Sequence, residues 1–262
     1  MLKQVLTIAG SDSGGGAGIQ ADLKAMSANG TYAMSVITAV TAQNTQGVTA
    51  IHDLPTSIVE AQINAIFDDF EVAAVKTGML CSASLVSLVS STLQRYRPPH
   101  LVIDPVMVSK SGRDLLQPDA IDIVKHELIP LASVLSPNLP EAERLTGLTI
   151  RSLADARQAA KVLYQLGCQH VLIRGGHSLD RPATDMLYDG RFFTLYRGEW
   201  IDTPHTHGTG CTFTAALAAQ LALGKPLPDA VDAAKRYVTS AIRHSLAIGQ
   251  GQGPTNHFYF LS

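Results

Sequence analysis

Gln4-Val5-Leu6-Thr7-Ile8-Ala9 runs into Gly10-Ser11-Asp12-Ser13-Gly14-Gly15-Gly16-Ala17-Gly18, and then into Ile19–Ala28. The first six residues are a short apolar strand. The last ten place Ile19, Leu23 and Met26 at helical spacing and stop at Asn29-Gly30, a helix C-terminal signal. Strand, glycine loop and helix in succession open a βαβ unit.

The same alternation continues along the chain. Tyr32–Thr41 is rich in β-branched residues. Thr56–Phe70 reads as a helix with Ile58, Ile63, Ile66 and Phe67 as its buried stripe, and Val72–Val75 as a buried strand. Helices follow over Ser82–Tyr96, Asp119–Leu128, from Glu141–Leu145, and over Ser152–Leu166. Strands are expected at Leu101–Ile103, Val134–Leu135 and Val171–Ile173. Met186–Tyr188 and Phe192–Tyr196 flank Asp189-Gly190, a hairpin signal. Two long helices, Gly210–Leu223 and Leu227–Ile248, close the chain. Strands alternating with helices predict a mainly parallel sheet covered on both faces, in one α/β domain over residues 1–262.

Composition supports a packed core and narrows the partners. Of 262 residues, 46% are hydrophobic and only 16% charged, with a formal net charge of -2. That balance argues against nucleic acid, whose phosphates recruit clustered Lys and Arg. The longest apolar stretches, 36–42 and 214–223, are broken by Thr or Gln and fall short of the ~18 residues of a membrane span. The short apolar run Val5–Ala9 meets Ser11-Asp12-Ser13 too soon for a signal peptide. Three cysteines, Cys81, Cys168 and Cys211, form no CxxC pair, so the default is a reducing cytoplasm.

In open α/β sheets ligands sit beyond the carboxyl ends of the strands, and the unusual residues fall there. His207-Gly208-Thr209-Gly210-Cys211-Thr212 enters an Ala-rich helix. Its glycines let backbone N–H groups converge at a helix N-terminus, an anion site by geometry and by dipole. A cysteine in that first turn feels the same field, which lowers thiol pKa values from about 8.5 to roughly 3.5–7.5 and would make Cys211 a general base or nucleophile. The alternative is a small residue chosen for packing. His205, His207 and Cys211 also admit a metal reading, but zinc needs three or four such ligands and no fourth lies nearby.

Gly16-x-Gly18-x-x-Ala21 formally matches a dinucleotide fingerprint, yet the ribose-binding acid is missing: no Asp or Glu lies between Asp22 and Asp53. A dinucleotide oxidoreductase is thereby disfavoured, and no Gly-Lys-Ser/Thr phosphate loop occurs. Asn138-x-x-Glu141 offers an amide and a carboxylate for hydrated Mg²⁺, with Asp104 as a further oxygen ligand. Asn138 also reads as an ordinary helix cap. Arg174-Gly175-Gly176-His177 places a cation among glycines, which suits phosphate. Gln43 can pair with a heterocycle edge through both amide groups, and Met79 and Val106 can form apolar walls.

Taken in order and spacing, these motifs resemble the ribokinase-like superfamily, and within it the hydroxymethylpyrimidine and phosphomethylpyrimidine kinases of thiamine biosynthesis. The resemblance rests on residues 9–18, Thr41-Ala42-Gln43-Asn44-Thr45, Lys76-Thr77-Gly78-Met79-Leu80, Asp104-Pro105-Val106-Met107, Asn138-x-x-Glu141, residues 207–212 and Gly251-Gln252-Gly253-Pro254. It implies a three-layer α/β/α fold and an ATP- and Mg²⁺-dependent kinase that makes first a monophosphate and then a diphosphate. It further implies Cys211 as base, where the sugar kinases of the superfamily carry Asp. Gln43 would read the aminopyrimidine, with Gly10, Ala17, Asp22, Met79 and Val106 around it. Gly208, Thr209 and Gly210 would form an anion hole, Arg174 and His207 would meet ATP phosphates, and Asn138, Glu141 and Asp104 would hold Mg²⁺. The implied state is a cytoplasmic homodimer. One departure stands out: Arg174 occupies a position where the family usually has Lys, and its guanidinium differs in reach and geometry. The rival readings are a pyridoxal kinase of the same branch and, in another class, a non-catalytic nucleotide-binding regulator.

Overall fold

The computed structural model describes residues 1–109, 112, 114–175 and 183–261. In chain order the elements are β1 (Gln4–Asp12), α1 (Gly18–Ala28), β2 (Tyr32–Asn44), β3 (Gly47–Asp53), α2 (Thr56–Phe67), β4 (Val72–Thr77), α3 (Ala83–Tyr96), β5 (Leu101–Ile103) and α4 (Ala120–Ile123). There follow β6 (Val134–Leu135), α5 (Leu139–Thr146), α6 (Leu153–Tyr164), β7 (Val171–Ile173), β8 (Thr184–Tyr188), β9 (Phe193–Arg197), α7 (Thr209–Ala222) and α8 (Leu227–Arg243). The strands form one sheet in the order β3-β2-β1-β4-β5-β6-β7-β8-β9. From β2 through β7 every pairing is parallel. Antiparallel strands finish both edges: β3 on β2, and the β8–β9 hairpin on β7.

Alternation along the central strands feeds two cores. Leu6, Ile8, Val75, Ile103 and Leu135 pack under α2, α3, α5 and α6. Val5, Ala74, Val102, Val134 and Leu172 face α1, α7 and α8 on the other side. Helix α7 is buried at every residue from Thr212 to Ala222. Its alanines let it lie close to β1, β4 and β5 between α1 and α8, which fixes where its N-terminus points.

Several boundaries differ from the sequence expectation, each for a local reason. Strand β3 was not expected, because its residues sit on an exposed edge and mix polar with apolar types. The helix expected to Ile248 ends at Arg243. There the chain turns back, and Leu246 N–H donates to Pro254 O (2.9 Å), docking the C-terminal segment. The helix expected over 119–128 keeps α-geometry only in α4 and continues as a π turn over Val124–Leu128. On α2, Val59 and Ile63 are buried and Ile66 and Phe67 pack against the core, but Ile58 is 47% exposed, so the expected stripe is rotated. Accordingly, Ile63→Ala costs about 2–5 kcal/mol through its cavity, and Ile58→Ala about 0.5 kcal/mol or less; urea unfolding of the two variants measures the difference.

Candidate active site

The site lies beyond the carboxyl ends of the parallel strands, where the N-termini of α1 and α7 meet. Asp12, the last residue of β1, organises the glycine loop. Its Oδ1 accepts the Gly14 N–H (2.8 Å), and its Oδ2 accepts the N–H groups of Gly16 (3.0 Å) and Ala17 (2.8 Å). His207 Nε2 stands 2.9 Å from the same Oδ2. Burial pushes the Asp12 carboxyl up, but the His207 contact and the Ala17 and Gly14 N–H groups outweigh it and hold it below the usual carboxylate value. The loop's N–H groups therefore turn inward onto this protein's own anion.

Two glycines of the α7 entry have steric reasons. Gly208 has φ +78°, and a Cβ there would lie 1.8 Å from Gly16 O. The backbones of the two loops touch at this point, and a side chain would force them apart. A Cβ on Gly210 would meet an Arg174 nitrogen at 2.4 Å.

This closure brings Cys211 under both helix ends. It sits in the first turn of α7, and the backbone N–H of Gly18, the first residue of α1, favours the charged form of its sulfur. The expectation of a lowered thiol pKa does not hold. Burial pushes the Cys211 thiol up to about 11; Lys76 and the Gly18 N–H oppose this, while Asp22 and Asp104 add to it. The free protein carries a thiol here, because desolvation exceeds the helix field.

Beneath the site, Lys76 and Asp22 are both fully buried, with Lys76 Nζ 2.8 Å from Asp22 Oδ2. Thr7 Oγ1 donates to the same oxygen (2.6 Å). Burial works against the Lys76 charge, but Asp22, Cys211 and Asp104 together raise its pKa, so it stays an ammonium. Asp22, expected against substrate, is fully buried and paired with Lys76.

A second charge cluster faces α7 from β5, α5 and β7. Arg174 donates to Asp104 Oδ1 (2.7 Å) and to Glu141 Oε2 (3.3 Å). Thr214 Oγ1 donates to Asp104 Oδ2 (3.1 Å). Asn138 and Glu141 form a reciprocal capping box at the start of α5: Glu141 N–H donates to Asn138 Oδ1, and Asn138 N–H to Glu141 Oε2. Burial raises the Glu141 carboxyl, against the pull of Arg174. These residues fit Mg²⁺ in part. Two carboxylates converge on one cation, as a hydrated Mg²⁺ awaiting phosphate oxygens requires. The Asn138 side chain is turned back to its helix, and the guanidinium now fills the shared position. Arg174, expected on ATP phosphate, is held by these acids. Gly175 N–H donates to Asp185 Oδ1, and Asp185 pairs with Lys235 (2.6 Å), which anchors the segment. Gly176 and His177 of the expected phosphate segment lie outside the described residues.

The apolar and amide residues gather on the β2 side. Met79, Ala39 and Cys81 form a small cluster with Val106 packed against it. Gly10 leaves room for the Met79 methyl. Gln43 is tied to the glycine loop, since its carbonyl accepts from Ser13 Oγ (2.7 Å), and its Nε2 lies 3.4 Å from His207 Nε2. His205 Nδ1 accepts the Gly253 N–H, away from Cys211, so the metal reading of His205, His207 and Cys211 finds no convergence. Among the described residues no cluster of three or more His, Cys, Asp or Glu is arranged for a metal ion.

Sequence reasoning gave no role to Asp12, Lys76 or Thr214. An Asp two residues before glycines is a readable turn signal. A lysine inside the apolar run Val72–Thr77 signals a buried pair, but its partner, Asp22, is 54 residues away and is not readable.

A sheet with its ligand edge at two helix N-termini and an acid cluster is built to handle anions, and comparison with known proteins gives the class. The phosphomethylpyrimidine kinase family model matches residues 12–256. The hydroxymethylpyrimidine/phosphomethylpyrimidine kinase of Haemophilus influenzae is 51% identical, over 99% of this chain and 98% of its own. The ADP complex of Bacillus subtilis pyridoxal kinase superposes with a TM-score of 0.93 at 40% identity, over 100% of this chain and 99% of that one. The phosphomethylpyrimidine kinase of Clostridium difficile 630 gives 0.82 at 47%, over 91% and 99%. The fold is ribokinase-like, and the chain belongs to the phosphomethylpyrimidine kinase family.

The C-terminal segment completes the site: His207 bridges to Pro254, and buried His257 Nε2 lies 2.9 Å from Thr212 Oγ1 of α7. Burial, with Lys24 adding to it, lowers His257 from 6.5 to about 4. Between those values the unfolded chain binds a proton that the folded protein refuses. Stability is therefore full above pH 6.5 and falls as pH drops toward 4. Urea unfolding across that window should lose about 3 kcal/mol from this group, a loss that His257→Gln removes.

Proposed function

We propose that the protein transfers the γ-phosphoryl group of ATP to 4-amino-5-hydroxymethyl-2-methylpyrimidine, and then phosphorylates the monophosphate to the diphosphate, in thiamine biosynthesis. The supporting observation is the Cys211 sulfur at the meeting of the α1 and α7 N-termini, beside the Asp104–Glu141–Arg174 cluster. On this reading residues 1–262 act as one kinase domain, in a cytoplasmic homodimer; no helix among the described residues is long and apolar enough to cross a membrane.

Phosphoryl transfer needs alignment and charge neutralisation more than covalent help. The N–H groups of Gly208, Gly210 and Cys211 face the transferring phosphoryl group and stabilise its charge, while the Thr209 N–H donates to Thr206 O and holds the turn. Asp104 and Glu141 would hold Mg²⁺, which neutralises and aligns phosphate oxygens when bound. Arg174, packed on Gly210 beside those acids, supplies positive charge next to the transferring group. Gln43 reads the ring's amine and ring nitrogen, and Met79, Val106 and Gly10 pack its faces. Asp12 and His207 hold the glycine loop closed beside Ala17.

The thiolate form of Cys211 takes the proton of the hydroxymethyl oxygen as that oxygen bonds to the γ-phosphorus and the bond from that phosphorus to ADP breaks. The second acceptor is already an anion and needs no base. With the thiol near 11, the first transfer rises with pH through the neutral range. Cys211→Ala should slow the first transfer by about 10²–10⁴-fold, abolish that rise, and leave the second transfer much less affected. Equal losses in both steps would remove the base role. Separate turnover assays with the pyrimidine, its monophosphate and pyridoxal, resolved by mass, test the substrate. Diphosphate from the pyrimidine supports the reading. Pyridoxal turnover alone favours the second reading, a pyridoxal kinase, which the Bacillus subtilis likeness keeps in view; no turnover at all favours a nucleotide-binding regulator.

A further inference from the structure

We propose that the C-terminal segment 249–255 is a strap that positions the turn after Gln43 against the turn that opens α7, with Thr45 as the residue it grips, and so sets how tightly the acceptor ring is held. The proposal deepens the reading of Gln43 as the group that meets the acceptor ring, and rests on it.

Two stretches that the phosphoryl chemistry leaves unused, Thr45 after Gln43-Asn44 and Gly251-Gln252-Gly253-Pro254, meet in the fold. Gln252 N–H donates to Thr45 O (2.8 Å), and Gly251 N–H to Thr45 Oγ1 (3.1 Å). The fit is steric as well as polar. A Cβ on Gly251 would lie 2.2 Å from Thr45 O, and one on Gly249, at φ +75°, 2.4 Å from Thr45 Oγ1. Glycine lets the two segments approach this closely. The other end of the strap is seated on the turn before α7. Gly253 O accepts the His207 N–H (3.1 Å), Thr255 N–H donates to His207 O (3.3 Å), and Gly253 N–H donates to His205 Nδ1 (3.0 Å). Just beyond it, Asn256 N–H donates to Ala241 O of α8 (3.0 Å). Gly253, Pro254 and Thr255 are buried, whereas Gly249 and Gln250 are exposed. The strap therefore runs from a buried anchor out to the turn that joins β2 to the edge strand β3. Gln43 lies two residues before Thr45 on that turn. Its backbone is already tied to the glycine loop through Ser13 Oγ. The strap adds a second fixed point, set by α7. Two points on different loops fix the orientation of a hairpin end that one point leaves free to pivot.

Amide hydrogen exchange of the ligand-free protein, read by mass spectrometry on peptides covering 43–48 and 249–253, tests the hold, and the acceptor KM tests its use. Thr45→Val removes the hydroxyl that accepts from Gly251 at nearly constant side-chain size, and Gly251→Ala pushes the strap off the turn. Both should speed exchange in 43–48 by about three- to tenfold, the effect of losing one hydrogen bond. Both should raise the KM for the pyrimidine by a similar factor, while kcat and the KM for ATP stay at the parent values. Thr45→Ser keeps the hydroxyl and should behave as the parent in both readouts. Faster exchange confined to 249–253, an acceptor KM that does not rise, or a loss in Thr45→Ser equal to that in Thr45→Val overturns the proposal. Exchange is read without substrate, so it judges the strap whatever the acceptor. If pyridoxal alone is turned over, the KM is read with pyridoxal. If nothing is turned over, the reading of Gln43 fails and the exchange in 43–48 alone decides whether the strap holds the turn.

Discussion

The site depends on one backbone contact, the approach of Gly16 O to the Cα of Gly208. It lets the glycine loop before α1 and the turn before α7 share one point. From that contact follow the convergence of two helix N-termini, the docking of His207 on Asp12, and the position of Cys211. The loop does not rest on glycine alone. Asp12 collects three of its N–H groups, so the loop is shaped before any ligand arrives. A preorganised set of donors costs no reorganisation when charge develops on a phosphoryl group.

Burial of charge is the second theme. Asp22 with Lys76, Asp104 and Glu141 with Arg174, and Asp185 with Lys235 are withdrawn from water around the start of α7. Each pair is costly to bury and strongly coupled to its neighbours. In this setting desolvation decides the state of Cys211, and a helix dipole alone does not produce a thiolate. The Arg174 bridge carries a related consequence: the acids suited to Mg²⁺ are already partly balanced by the chain's own cation.

Much of this was legible in the sequence because the deciding signals are local. The run from Gln4 to Ala28, the Gly208–Cys211 turn and the buried strands Leu101–Ile103 and Val171–Ile173 announce a parallel α/β sheet through period and glycine placement. Asn138 followed by Glu141 announces a capping box as readily as a metal pair, and the structure shows the cap. What was not legible depends on distance in the chain. Arg174 reads as a phosphate ligand from its glycines, and its hold by Asp104, 70 residues earlier, is not readable. Lys76 acquires meaning only beside Asp22. The Cys211 titration was misread because dipole and sequence position are local, whereas burial comes from α1, β4 and β5 together. Strand β3 was missed because an exposed edge strand carries no apolar run.

The central claim is that the acceptor hydroxyl meets Cys211 where the two helix ends converge. A crystal structure with the hydroxymethylpyrimidine and a non-hydrolysable ATP analogue tests it most directly. The account predicts the hydroxymethyl oxygen within about 3.5 Å of the Cys211 sulfur, the γ-phosphate against the N–H groups of Gly208, Gly210 and Cys211, and Gln43 on the ring edge. A hydroxymethyl arm turned away from Cys211, toward Asp104 or His207, would contradict it.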